Sequence, residues 1–234
     1  LRRRHDNVRL LLPAYGRRAW LVLLACCTLL TVAGGAACAV GTYGDPIDGP
    51  IDAWLTSHLG GYSDVLQPAT DLGQGMPVAA MTAVLVLACL VGRRVNGAVL
   101  AAVSVPAAGL LTELVLKPAV PEAYSAYPSG RTTGVFAVIT VLAVLLANPP
   151  GASLPPLARR AILAIAVLVG CVVAVATAAM NYHHFTDTIG GGALGAAVVL
   201  ATTFLLDLPR VAQMLAVGRQ PSPGLSAQPW QHRP

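Results

Sequence analysis

Apolar residues in this chain gather into long blocks separated by short polar breaks, at about 19–41, 76–92, 97–116, 132–148, 161–180 and 188–206. A helix needs roughly 20 residues to cross a hydrocarbon core about 30 Å thick. The pattern therefore predicts six spans, the second and fourth of them short. None of the blocks shows the regular polar/apolar alternation of a barrel strand, and a bilayer offers no partners to unpaired backbone groups, so the expected fold is an all-α integral membrane protein. The longest connection, 43–75, opens with the turn-rich YGDPIDGP. Within IDAWLTSHLGG, Ile51, Trp54, Leu55 and Leu59 recur at helical spacing. That predicts a short surface helix, either roofing a site or serving only as an interfacial anchor, with His58 on its polar face.

Composition supports the membrane reading. Of 234 residues, 56% are hydrophobic and 11% charged, with a mean hydropathy of +0.68, which argues against a soluble domain of this length. The first block is too long, and followed by too much further membrane sequence, to read as a cleaved signal peptide. With the N-terminus inside, the segments 1–18, 92–96, 149–160 and 207–234 are cytoplasmic and hold 13 of the 15 Lys and Arg. The organisation expected is a basic N-terminus at 1–18, a membrane domain at 19–206 and a disordered Pro/Ser/Gln-rich tail at 207–234, with both termini in the cytoplasm. The two remaining cations, Lys117 and Arg131, face outward. The net charge of +5 then reflects anchoring to anionic inner-leaflet lipids and implies no nucleic-acid partner. The five cysteines sit in or at the edges of the spans as small hydrophobes.

Three polar patches interrupt the outward ends of the blocks. In TELVLKP, the single lysine of the chain, Lys117, follows Glu113 by four residues on one helical face. That spacing suits an intrahelical ion pair, and a charge pair at membrane depth also suits ligand binding. In YPSGRTTG, a turn at Pro128, Ser129 and Gly130 precedes a helix, whose N-terminal N–H groups, the Ser129 hydroxyl and the Arg131 fork make a seat for an anion. An ordinary capped turn with a snorkelling arginine is the plain alternative. In NYHHFTDTIGGG, His183 and Asp187 stand four apart, so the carboxylate can orient the imidazole as a nucleophile toward phosphorus. Metal binding by His183, His184 and Asp187 lacks a further ligand at usual spacing, and no metal or other cofactor is expected. Gly190, Gly191 and Gly192 read as close-packing positions.

The order lysine, then Pro-Ser-Gly, then His-x-x-x-Asp before the last span resembles the phosphatidic acid phosphatase type 2 superfamily over about residues 50–206. The resemblance implies a six-helix bundle with an outward-facing site. It also implies that Lys117 binds phosphate, Ser129 and Gly130 form the phosphate turn, His183 is the nucleophile and Asp187 its partner. This chain departs from the family pattern in three places. Tyr124 and Ser125 replace an Arg-Pro, Arg131 replaces the histidine that acts as general acid, and Ala176-Thr177 replaces a Ser-Arg. An arginine cannot shuttle a proton at neutral pH. Tyr124, Glu113 and His184 are then auxiliary candidates, His184 as a proton donor.

The expected function is that of a metal-independent lipid phosphate or diphosphate phosphatase of a bacterial plasma membrane, working through a phosphohistidine on the extracytoplasmic side. The arginine- and alanine-rich composition suits a polyprenyl carrier of envelope synthesis as substrate. A phosphoryl transferase using the same histidine, and a non-catalytic lipid-phosphate-binding subunit with a membrane-protein partner, are the alternatives. Membrane lipids are partners in every case.

Overall fold

A computed structural model describes residues 10–13, 16–39, 47–120, 127–148 and 154–208. All regular elements among them are helical: α1 (Arg17–Ala39), α2 (Asp48–Leu59), α3 (Ser63–Asp71), α4 (Gly75–Val91), α5 (Val95–Leu111), α6 (Lys117–Ala119), α7 (Gly130–Ala147), α8 (Pro156–Ala179) and α9 (Phe185–Leu206). Each apolar block of the sequence maps onto one helix. The largest discrepancy is at α8, which starts at Pro156 rather than 161. Proline fits the first turn, where no intrahelical N–H is needed, and Arg159 and Arg160 extend the helix beyond its apolar stretch. The expected tail residues 209–234 and most of the basic N-terminus, 1–9 and 14–15, lie outside the described residues.

Five helices are long and apolar enough to cross a membrane, with α5 counted through to Ala119. The number is six when the segment Asp48–Asp71 and α4, which meet at a 44° bend, are taken as one broken span. At 17 residues α4 is about 25 Å long, slightly under the thickness of a typical hydrocarbon core. The bend permits a close approach: a Cβ on Gly73 would stand 2.7 Å from Cβ of Arg131, so only glycine lets the α3–α4 corner rest on the start of α7.

The centre of the bundle is the pair α7–α9, with α5 against both, α1 against α9, and α4 and α8 against α7. A Cβ on Gly191 would overlap the Ser129 carbonyl and the Thr132 hydroxyl, and one on Gly195 would overlap the Thr133 carbonyl. The two helices therefore touch backbone to backbone, as small residues allow inside membranes, where the hydrophobic effect does not drive helices together. Large apolar side chains on the outer faces of α1, α4 and α8, such as Leu29, Val91 and Leu168, are exposed and suited to lipid.

The end of the bundle opposite the polar patches is closed by charges that satisfy backbone groups. Asp207, almost fully buried, accepts the N–H groups of Leu11 (2.7 Å) and Leu12 (3.1 Å). Arg94 donates to the carbonyls of Leu145 and Asn148, and Arg159 to that of Leu146. These are C-terminal carbonyls of α7 that lack helical partners, and cations there also complement the helix dipole.

The glycine contacts give a paired test. Gly191→Ala should lower stability by about 1–3 kcal/mol through overpacking. Gly109→Ala, where an added Cβ meets nothing within 4 Å, should be neutral or stabilising by up to about 1 kcal/mol. Thermal unfolding of the two detergent-solubilised variants checks the contrast, and equal effects would show that the α7–α9 contact is looser than its geometry.

Candidate functional site

Lys117 and Glu113 lie on an abrupt change in helix geometry. Pro118 has no N–H to give to Leu114 and its ring crowds that carbonyl, so an α-helix is disfavoured there. The chain answers with a wide turn over Thr112–Leu116, closed by the Lys117 N–H on the Thr112 carbonyl. Buried Thr112 anchors its start by donating to the Ala108 carbonyl at 2.9 Å. From this turn Lys117 Nζ reaches both Glu113 oxygens, at 2.7 and 2.9 Å. The carboxylate in turn rests against the next element: Oε1 lies 2.7 Å from where a Cβ on Gly130 would stand.

Gly130 begins α7, and Ser129 is its N-cap residue. The Tyr127–Pro128 peptide is cis. The Ser129 carbonyl accepts the Thr133 N–H (3.0 Å) and the hydroxyls of Thr132 and Thr133, while its N–H donates to the Asp187 carbonyl at 3.0 Å. That last bond ties the turn to the first turn of α9. Ser129 Oγ is buried and has no hydrogen-bond partner. An unsatisfied buried hydroxyl costs about 1–3 kcal/mol.

His183 precedes α9, and Asp187 lies in its first turn, so the pair forms across the helix start rather than along one helical face. His183 Nδ1 is 3.6 Å from Asp187 Oδ2, just beyond hydrogen-bond reach, and has no other partner. The buried Asp187 carboxylate is held by the His184 N–H at 3.0 Å and by its favourable place at a helix N-terminus. Arg131, one residue into α7, stacks its guanidinium over the Tyr182 ring at 4.2 Å. The Tyr182 hydroxyl donates to Gln67 of α3 at 2.7 Å, so α3 props the ring that props the arginine.

One cavity of about 1100 Å³ is lined at its polar end by Glu113, Lys117, Gly130, Arg131 and His183. It continues between α4 and α5 past Val78, Val86, Leu87, Ala102, Val105 and Leu110. Ser129 and Asp187 stand behind this lining, fully buried. Tyr124 lies outside the described residues, and Ala176 and Thr177 are buried in α8, where the Thr177 hydroxyl donates to the Val173 carbonyl and faces no ligand.

His184 turns elsewhere. Its Nδ1 is 2.8 Å from Asp52, and it lines a separate cavity of about 360 Å³ with Asp48, Asp52, Tyr182 and His183. The hydrogen bond to Asp52 raises its pKa above the usual 6.5, with burial opposing. Asp48 and Asp52 were not legible as site-building residues. Their carboxylates accept the N–H groups of Thr186 (2.9 Å) and Phe185 (3.1 Å), first-turn donors of α9 that have no intrahelical partner. The signal present in the sequence is their four-residue spacing, which puts both on one face of α2. This docks α2 on α9 as more than an interfacial anchor, while His58 stays on the surface, stacked on Trp54 at 4.7 Å.

The α2 dock should depend on pH. A raised folded pKa means that the contribution of protonated His184 is complete below about 6.5 and is lost as pH rises through the folded value. Backbone amide exchange in 48–59, corrected for its intrinsic pH dependence, should therefore accelerate as the pH is raised across neutrality. His184→Gln should abolish that acceleration, and a profile identical in both proteins would remove the ion pair from the account.

The sequence model of the PAP2 (phosphatidic acid phosphatase type 2) superfamily matches residues 54–208, from Trp54 in α2 to the end of α9, and so takes in every residue of the polar cavity end. No curated protein and no solved structure matches the chain. With the family match covering well over half its length and running through all three polar patches, this chain belongs to the PAP2 superfamily.

Proposed function

We propose that the protein is a membrane phosphatase acting on a lipid phosphate or diphosphate, with His183 as nucleophile. Family membership carries phosphatase-type chemistry on phosphorylated substrates. The observation behind the finer reading is the single cavity that joins Lys117, Gly130, Arg131 and His183 to an apolar trough between α4 and α5. The lining on α4 runs from Gly75 to Leu87, about 18 Å at helical rise. A soluble phosphate ester has no use for such a trough, whereas an acyl or polyprenyl chain fills it. A polyprenyl carrier phosphate of envelope synthesis meets both requirements.

In this reading His183 attacks phosphorus through Nε2 while Asp187 orients the ring from the Nδ1 side and stabilises the imidazole as it gains charge. Arg131 and Lys117 hold equatorial oxygens, joined by the Gly130 N–H and the unpartnered Ser129 hydroxyl. The arginine distribution supports both termini in the cytoplasm, and with six spans the site then faces the extracytoplasmic side of the plasma membrane.

The decisive measurement is phosphate release from a panel of lipid mono- and diphosphates by purified wild type and His183→Ala, with host phosphatase excluded. Wild-type turnover abolished in the variant supports the proposal. Lipid binding without turnover would favour a non-catalytic lipid-phosphate-binding role, and transfer to an acceptor alcohol in place of release would favour a phosphoryl transferase.

Two further outcomes are expected. Activity should persist in excess chelator, because Lys117, Arg131 and helix N–H groups supply the charge stabilisation. Loss on chelation with restoration by a single divalent ion would overturn this. Arg131→Ala should weaken binding of a phosphate-headed lipid by about 2–3 kcal/mol, the scale of a charge-assisted contact, read as Kd by titration in detergent. An unchanged Kd would leave Arg131 merely stacked on Tyr182.

A further inference from the structure

Arg131 stands at the start of α7 and cannot release a proton, and His184 faces Asp52 in a different cavity. An alkyl phosphate still needs a proton on its departing oxygen, because an alkoxide is a poor leaving group. Among the residues lining the polar end of the large cavity, His183 is the nucleophile of this reading and Lys117 serves as a fixed cation for the phosphate, which leaves Glu113 to carry it.

We propose that Glu113 is the proton donor to the leaving group; this rests on the phosphatase reading above. Three observations place it. The wide turn at Thr112–Leu116 sets the carboxylate against Gly130, at the start of α7. Glu113 shares the cavity with His183. It is bonded through both oxygens to Lys117, the cation a phosphate would take. The charged and titratable groups facing it are Lys117 from α6, Arg131 from α7 and His183 from the connection into α9.

Ligand arrival changes the carboxylate's state. In the empty site the carboxylate is paired with Lys117 through both oxygens. A phosphate drawn to Lys117 makes two anions share one ammonium, which favours protonation of the carboxylate. A monoester entering as its monoanion brings the proton needed. His183 Nε2 then forms the N–P bond as the P–O bond to the lipid breaks. The electron pair leaves on the lipid oxygen, which takes the proton of Glu113 and departs as the alcohol. In the second half, water attacks phosphorus in line and the N–P pair returns to the imidazole. The water's protons stay with the departing inorganic phosphate, and the Glu113 carboxylate takes its proton afresh from the next substrate monoanion.

The test is Glu113→Gln, which keeps shape and hydrogen-bonding capacity but carries no transferable proton. Steady-state kinetics are run on an alkyl-chain monophosphate, an aryl phosphate and a lipid diphosphate, with folding checked by gel filtration and thermal unfolding. The alkyl ester should lose about 100-fold or more in kcat, while the aryl phosphate and the diphosphate, with better leaving groups, change by less than about threefold. The wild-type decline of kcat for the alkyl ester at high pH should be absent from the variant's aryl profile. Glu113→Asp, with a shorter acid, should recover part of the alkyl activity. An equal loss on all three substrates would make Glu113 a positioning partner of Lys117, and no loss on any would remove it from the reaction; either overturns the proposal. If wild type releases phosphate from none of the substrates, the phosphatase reading itself fails, a result distinct from both.

Discussion

The site depends on the closeness of α7 and α9. Where Gly191 and Gly195 let the two backbones touch, the start of each helix arrives beside the start of the other. The bond from the Ser129 N–H to the Asp187 carbonyl is the direct product. A proposed anion turn and a proposed nucleophile separated by more than 50 positions in sequence thereby become neighbours without either relying on a long loop. The rest is support added around that junction: α5 and its wide turn bring Lys117, α3 and Tyr182 steady Arg131, and α2 caps α9 with two carboxylates.

This arrangement explains why polar groups are tolerated at the edge of a membrane domain. Asp187 is buried but sits at a helix N-terminus and accepts a backbone N–H, so its charge is answered locally. Lys117 is answered by Glu113, and Arg131 by the face of Tyr182. Among the described residues three side-chain atoms are buried without hydrogen-bond partners: Ser129 Oγ and His183 Nδ1 at this end, and Arg159 Nε at the opposite end of the bundle.

Much of the helical layout was legible from sequence because bilayer thickness dictates apolar block length, and the ends at α4 and α7 fall within about two residues of the expected ones. The pairing of Glu113 with Lys117 was equally legible, since four-residue spacing holds for any helix-like turn. The direction of Arg131, the turning away of His184 and the docking of Asp48 and Asp52 were not. Each is decided by a neighbour distant in sequence, respectively Tyr182, Asp52 and the first-turn N–H groups of α9. The wide turn has a local cause in Pro118, yet a proline after a lysine more often reads as the end of a helix, and its effect on where Glu113 points emerges only against Gly130.

Helix α7 is gripped at both ends by other helices: at Ser129 by α9, and at Leu145, Leu146 and Asn148 by arginines from the α4–α5 corner and α8. Its 18 residues make a rod of about 27 Å whose internal hydrogen bonds resist stretching. A rod seated in this way has little freedom to slide or turn alone. A displacement of the arginine-held end of α7 is therefore shared with the Ser129 turn at its other end, so the two ends of the bundle are mechanically coupled.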